Sequence, residues 1–475
     1  MSESHAASAQ GGGDSNDIIS LYEVRKKIQV RSVHGWFATW RWALVWFTQL
    51  IYYGLCWLPW NGRQAVLFDL VERKFYIFGL IFWPQDVIYL AVLLIIAAYS
   101  LFLFTAIGGR LFCGYACPQT VYTEIFMWVE AKIEGERSAR LRLDAGPMSA
   151  QKFGRKAAKH AAWLLLALWT GFTFVGYFTP IRTLLVEVQT WALGPWETFW
   201  ILFYGFATYG NAGWMREQVC KHMCPYARFQ SAMFDRDTLI VTYDTERGEP
   251  RGSRGKAVDH RQGGLGDCVD CSICVQVCPT GIDIRKGLQY ECIGCSACID
   301  GCDQVMDKMG YARGLIRFST QRALELGWGR KEIFAHIKRP RIMIYAVILA
   351  LIVAAAITGL ALRNPLKVDI IRDRRNLGQL EEGGIVENSY KLQIMNTGET
   401  PQRYAISAVG LEGIDINHQR EIEITVPALS LQSVFVDVYA PQESGKQGSN
   451  RIWFDVKSRD DVRAAVHEKA TFLMP

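Results

Sequence analysis

Twelve of the thirteen cysteines in this 475-residue chain fall into four tight groups, and that grouping limits the possible folds more than any other feature. The groups are Cys113 and Cys117; Cys220 and Cys224; Cys268, Cys271, Cys274 and Cys278; and Cys292, Cys295, Cys298 and Cys302. A disulfide framework scatters its cysteines through a small secreted domain. Close spacings in a large chain instead read as metal or redox sites in a reducing compartment. Cys56 stands apart on an apolar stretch and reads as inert.

Each group of four has spacers of two, two and three residues, and Pro279 follows the first. This is the bacterial ferredoxin run, in which three thiolates wrap three irons of one cubane and the fourth reaches the other cluster. One [4Fe-4S] cluster is therefore expected on Cys268, Cys271, Cys274 and Cys302, and the other on Cys292, Cys295, Cys298 and Cys278. A zinc site would take four ligands with a longer gap between its pairs. Asp303 stands where a second proline is usual, and removes no ligand. Such clusters pass single electrons, so the segment is expected to be an electron relay.

The remaining two pairs read Cys-x-x-x-Cys-Pro, ending at Pro118 and Pro225. Cysteines four apart on a helix share one face, so each pair would offer two sulfurs to one metal or form a strained, reversible disulfide. The proline would break or re-aim the helix there. Soft thiolate and thioether donors favour Cu(I), zinc or iron–sulfur clusters. His222 and Met223 lie between Cys220 and Cys224, and Met127 follows Cys117, adding copper-compatible donors. Apolar packing of the methionines and solvation of His222 beside Lys221 are the simpler readings of those three. His34 and His160 complete the candidate ligands on the same side.

Five stretches approach the ~20 apolar residues that cross a bilayer: Trp42 to Trp60, Val87 to Gly109, Ala161 to Thr179, Thr198 to Met215 and Ile342 to Leu362. Arg25, Lys26, Lys27, Arg31 and Arg41 surround the start of the first, and nine basic residues from Arg110 to Lys159 separate the second from the third. Both segments should be cytoplasmic by the positive-inside rule. Five crossings then place Arg216 to Arg341 inside and everything after Arg363 outside. With half the residues apolar and 21% charged, a disordered or fibrous chain is excluded. A net charge of +6, dispersed along the sequence, argues against nucleic acid as a partner.

These readings divide the chain into a disordered, basic N-terminal tail (1–35) and a four-helix transmembrane core with both Cys-x-x-x-Cys-Pro motifs (36–240). A double-cluster domain with its linkers (241–340), a fifth transmembrane helix (341–363) and an outer domain (364–475) follow. The tail is polar up to Tyr22, with no apolar core leading to a cleavage site. Gly248 to Gly266 reads as a Gly/Arg-rich linker, and Arg313 to Arg341 as a basic amphipathic helix. Alternating runs at Ser389 to Met395, Glu421 to Val426, Ser433 to Tyr439 and Arg451 to Val456 give the outer domain the period of an antiparallel β-sandwich. The recurrence of two spans followed by Cys-x-x-x-Cys-Pro reads as an internal duplication.

The motifs around Cys113 and Cys220, the double run from Cys268 to Cys302, a fifth span and an outer sandwich together resemble the cytochrome c oxidase accessory family CcoG/FixG/RdxA. The resemblance covers nearly the whole chain. It implies a mixed membrane protein: a five-helix transmembrane core, a cytoplasmic bacterial-type double-cluster ferredoxin domain and a C-terminal Ig-like β-sandwich in the periplasm, in a bacterial inner membrane. It implies reduction of Cu(II) to Cu(I) for the copper centre of cbb3-type oxidases, with copper as substrate and Cys113, Cys117, Cys220 and Cys224 as its thiols. A copper-translocating ATPase, copper chaperones and oxidase subunits would be its partners, and a cytosolic donor its source of electrons.

Membrane quinol dehydrogenases are similar over the first 300 residues but stop without the fifth span and outer sandwich. The alternative is therefore a quinol-oxidising membrane ferredoxin that passes electrons to a periplasmic acceptor. No Cys-x-x-Cys-His haem motif is present to carry them onward. A pure docking scaffold would leave eight cluster ligands unexplained.

Overall fold

The computed structural model describes residues 27–256, 263–381 and 384–475. The expected disordered tail (1–35) lies outside the described residues up to position 26; from 27 onward it is held instead, with Gln29 buried, Lys27 paired with Glu130 and the Arg31 N–H donating to the Gln276 carbonyl. Contacts divide the chain into two units, Met1–Leu67 with Ser100–Met343, and Phe68–Tyr99 with Ile344–Pro475.

The first unit opens with α1 (Trp36–Gly54). This helix begins six residues before the expected span because the Asp300 carboxylate accepts the backbone N–H groups of Phe37 and Ala38, supplying a cap from a distant element. It also ends six residues early. Pro59 lacks an N–H and holds Leu58 extended, so the chain turns through Leu55–Trp57 into the short strand Pro59–Trp60. Next come α2 (Val87–Gly108), which runs through both units, α3 (Leu111–Tyr115) and α4 (Pro118–Glu134). The Ser149 side chain caps α5 (Ala150–Val175), whose first turns are polar. α6 (Pro195–Thr208) passes into a π-helical segment, Tyr209–Met215. α5 and α6 cross through small residues: a Cβ on Gly171 would overlap the Ile201 carbonyl.

Then follow α7 (Pro225–Met233), β1 (Ile240–Tyr243), α8 (Ala297–Met309) and β2 (Ile316–Ser319), which pairs antiparallel with β1. The stretch expected as one basic helix from Arg313 to Arg341 is instead β2 and two short helices, Gln321–Glu325 and Arg330–His336. Thr320 caps the first of these, and Gly327 has positive φ between them. The expected linker from Gly248 to Gly266 lies outside the described residues at 257–262; on either side of them it is held by Arg254, which donates to the carbonyls of Gly252, Gly266 and Cys268.

The second unit holds α9 (Pro340–Ala361) from Ile344 onward and a sandwich of two four-stranded sheets. Its strands are β3 (Leu366–Glu381), β4 (Ile385–Asn396), β5 (Gln402–Val409), β6 (Asp415–Ile416), β7 (Ile422–Val426), β8 (Leu431–Pro441), β9 (Gly448–Ser458) and β10 (Ala465–Met474). The sheet orders are β7-β5-β9-β10 and β6-β8-β4-β3. Alternate residues of β4, among them Tyr390, Leu392 and Ile394, face a core shared with Tyr404, Phe454 and Phe472.

Among the described residues, two helices are long and apolar enough to cross a membrane: Pro84–Gly108 and Pro340–Ala361, with mean hydropathy 2.7 and 2.6 over their most apolar windows. Those windows are 0% and 6% buried inside the protein, unlike the core helix of a soluble domain. α1, α5 and α6 stand where the other three spans were expected. They are shorter or carry a charged end.

Candidate iron–sulfur and thiol site

The two cysteine runs fold alike. Asp270 and Gly294 occupy equivalent places and have positive φ, as do Ser272 and Ser296, each directly after the second cysteine of its run. Gly294 has a further constraint, since a Cβ there would lie 3.2 Å from the Arg110 carbonyl oxygen. The first run then makes a single turn, Ile273–Gln276, and stops short of Pro279. The second continues as α8 through Cys302, because Asp303 permits it and accepts the Gly314 N–H at 2.9 Å.

This geometry groups the sulfur residues around two small cavities. One is lined by Cys268, Cys271, Cys274 and Cys302 with Tyr243 and Arg285; the other by Cys278, Cys292, Cys295 and Cys298, with Cys274 between them. The fourth cysteine of each run thus lies with the first three of the other. Four thiols on apolar walls suit a cubane in each cavity. Burial pushes the Cys274 thiol up to about 11 and the Cys302 thiol up to about 12. Without metal they are neutral thiols, and iron must displace the proton.

The Cys-x-x-x-Cys-Pro motifs do not form continuous helices. Proline disfavours the helical conformation in the residue before it, and Cys117 (φ −62°, ψ 129°) and Cys224 (φ −76°, ψ 111°) are both extended N-caps, with Pro118 and Pro225 opening α4 and α7. The first cysteine of each pair stands on the preceding element, α3 or the π-turn Val219–Met223. The expectation of two sulfurs on one helix face is therefore corrected. Both halves close with the same bond, Cys117 N–H to Phe112 O at 3.0 Å and Cys224 N–H to Val219 O at 2.8 Å.

All four of these thiols are close enough to one another for every pair to interact electrostatically. Burial pushes Cys113 up to about 11 and Cys220 up to about 12, with the neighbouring sulfurs adding to both. Cys113 and Cys220 pack with Ile293 and Cys295, against the second run. Gly114 lies flush on that run, for a Cβ there would stand 2.8 Å from the Cys295 backbone N and Cα. Among the described residues no three His, Cys, Asp or Glu side chains stand in finished single-ion geometry. The four thiols are neighbours that a metal would draw together.

Charge is organised around both sites. Arg41, buried on α1, donates to the Cys295 carbonyl at 3.2 Å and to Glu124 at 3.2 Å. Glu130, fully buried on α4, meets Arg216 at 2.8 Å, Lys27 at 3.0 Å and Arg140 at 3.2 Å. Burial alone would raise its pKa, but Arg216, Lys27 and Lys159 hold it down at about 2. In the sequence Arg41 and Arg110 stand out only as charges at the ends of apolar stretches, and Glu130 does not stand out. Charge beside an apolar span is the signal that marks Arg41 and Arg110, and Glu130 carries no such signal.

The other candidates separate. Met127 lines a small cavity with Cys220 and Cys295, and also the cavity of about 620 Å³ that His34 shares. His222 and Met223 are exposed on the π-turn. The His160 Nδ1 meets the Tyr209 hydroxyl at 2.9 Å, with its ring stacked on Trp214, a structural role. Cys56 is buried among Phe172, Val175, Ile181 and Leu184.

Comparison with known proteins finds iron–sulfur and IG-like families along the chain. The family described as "4Fe-4S dicluster domain" matches residues 215–321, "4Fe-4S binding domain" matches 90–135, and the IG-like fold at the C-terminus of FixG matches 356–475. The nitrogen fixation protein FixG of Rhizobium meliloti is 40% identical over 425 residues, covering 83% of this chain and 80% of that protein. Protein RdxB of Cereibacter sphaeroides is 37% identical over 92% of this chain and 94% of its own length. Protein RdxA of the same organism is 36% identical over 93% and 94%.

Proposed function

This chain belongs to the CcoG/FixG/RdxA family, and from that premise we propose that it is a cupric reductase of the bacterial inner membrane, acting in copper-centre assembly of cbb3-type cytochrome c oxidase. It is an iron–sulfur protein of the electron-transfer type. In this reading Cys268, Cys271, Cys274 and Cys302 hold one [4Fe-4S] cluster and Cys278, Cys292, Cys295 and Cys298 the other. Bound there, the clusters supply one-electron transfer.

The chain's own residues do the rest. Cys113, Cys117, Cys220 and Cys224 receive Cu(II) and, as soft donors, hold the Cu(I) formed when each ion takes one electron. Gly114 keeps their site against the backbone of the second run. The helix N-termini behind Cys117 and Cys224 favour negative charge on the sulfurs. Electrons come from a cytosolic donor. The product passes to copper chaperones, a copper-translocating ATPase and oxidase subunits.

The reading includes five transmembrane helices, α1, α2, α5, α6 and α9, with the N-terminus and cluster region cytoplasmic and the β-sandwich periplasmic. α2 and α9 support it most, by their length and exposed apolar surface. The observation that carries the function is the gathering of four thiols, two of which, Cys113 and Cys220, pack against the second cysteine run.

The anaerobically reduced, purified protein is mixed with Cu(II) or with a quinone analogue. Copper should reoxidise it and the quinone should not, and Cys113→Ser with Cys117→Ser should abolish copper reduction while leaving cluster absorbance. Rapid reaction with the quinone and none with copper would replace this reading with the quinol-oxidising one.

A further inference from the structure

Arg110 links α2 to α3 and is the residue directly before the helix that carries Cys113. Its side chain is 7% exposed. One guanidinium nitrogen donates to the Ala227 carbonyl at 2.5 Å, while Nε is buried with no partner. Four other arginines near the sites have carboxylates: Arg41 has Glu124, Arg140 and Arg216 share Glu130, and Arg285 has Asp283 and Asp270, while the half-buried Arg254 has three carbonyls and the Tyr311 hydroxyl. Among the described residues Arg110 has none within ion-pair distance.

A buried charge left without a counter-ion is strongly disfavoured, so such a residue points to an anion that completes the site. The groups around Arg110 are sulfurs. It lines one small cavity with Cys292 and Gly294, its carbonyl accepts the Gly114 N–H at 3.1 Å, and its charge acts on Cys113, Cys220 and Cys292. These belong to both sites, Cys292 to the second cubane cavity and Cys113 and Cys220 to the four-thiol site. Metal thiolate centres carry net negative charge, which an apolar surround leaves poorly compensated.

We propose that Arg110 is the shared counter-ion of the four-thiol site and the cavity lined by Cys278, Cys292, Cys295 and Cys298, and so a positioning residue for electron transfer between them. This rests on the copper reading given above. A fixed positive charge that acts on both sites favours electron arrival at either. It also stabilises Cu(I) held by thiolates, a complex more negative than the free ion and neutral thiols.

The test uses the full-length, cluster-loaded protein with Arg110→Gln and Arg110→Lys. Iron content, EPR-monitored redox titration of both clusters and competition for Cu(I) against a colorimetric chelator are measured. In Arg110→Gln with full iron content, one cluster should become harder to reduce while the other does not move. Cu(I) affinity should fall roughly tenfold or more, and Arg110→Lys should restore both. Unchanged potentials and Cu(I) affinity in a fully loaded Arg110→Gln protein would overturn the proposal, as would a lysine variant that behaves like the glutamine one.

If Arg110→Gln loses iron while Arg110→Lys keeps it with wild-type potentials, the charge is required, as proposed. Loss of iron in both makes the role one of packing and overturns it. Wild-type protein that binds no Cu(I) rejects the copper reading separately, and the cluster potential of Arg110→Gln then decides the case for Arg110.

Discussion

The carboxylate of Asp300 accepts the backbone N–H of Ala38 at 2.7 Å, so the helix carrying Cys298 and Cys302 caps the first apolar helix. Gly35 makes this possible, since a Cβ at that position would overlap the Asp300 side chain. The join ties a cluster-bearing element to α1, which also sends Arg41 to the Cys295 carbonyl.

Asp300→Ala should destabilise the protein by about 1–2 kcal/mol, the usual value of a lost N-cap. The check is a lower thermal midpoint together with faster proteolysis at the start of α1. Asp300→Asn, which keeps an acceptor, should recover much of the loss.

Gly114→Ala should separate the four-thiol site from the second cysteine run, because the new methyl meets Cys295 backbone atoms at 2.8 Å and backbone cannot swing aside. Copper reduction should fall more than tenfold, on the order of the cost of a ~1 Å misplacement. Gly154→Ala is the control. Nothing lies within 4 Å of a Cβ there, it is exposed on α5, and it should leave activity unchanged.

Glu130 sets an acid limit. Its carboxyl is held at about 2 against an ordinary 4.5, so its contribution is fully present above about pH 4.5 and is lost as pH falls toward 2. The size is on the order of 3 kcal/mol. Glu130→Gln should be less stable at neutral pH, and its stability should fall less steeply between pH 4.5 and 2 than that of the wild type. Parallel acid titrations of the two proteins, followed by circular dichroism, measure this.

In the second unit Asp86, 5% exposed at the start of α2, pairs with Arg363 at 2.6 Å and with Lys367. Asp86→Asn would leave two cations short of a partner and should cost about 3–5 kcal/mol. A thermal scan should show this loss at low salt and at high salt alike, because a buried pair is poorly screened.

The cysteine spacings predicted which sulfurs would share a cavity, and the fold groups Cys302 with the first run and Cys278 with the second. The β runs were equally legible. Strand alternation is a local pattern, and β4, β7, β8 and β9 appear where the period of two put them. Helix ends were less so. Pro59 stopped α1 by a local rule that was there to be applied, whereas its start depended on Asp300, more than 260 residues away in sequence.

By itself the sequence determined the chemistry on offer: eight cysteines in two ferredoxin runs, four more beside prolines, and apolar stretches long enough for a bilayer. Those follow from residue type and spacing, which act over a few positions. Only the tertiary structure decided that Cys113, Cys117, Cys220 and Cys224 become one neighbourhood, and that Gly114 seats it on Cys295. It also decided that Arg110 is buried there without a carboxylate. The reason is that burial and charge compensation depend on which distant elements share a space, and no local spacing encodes that.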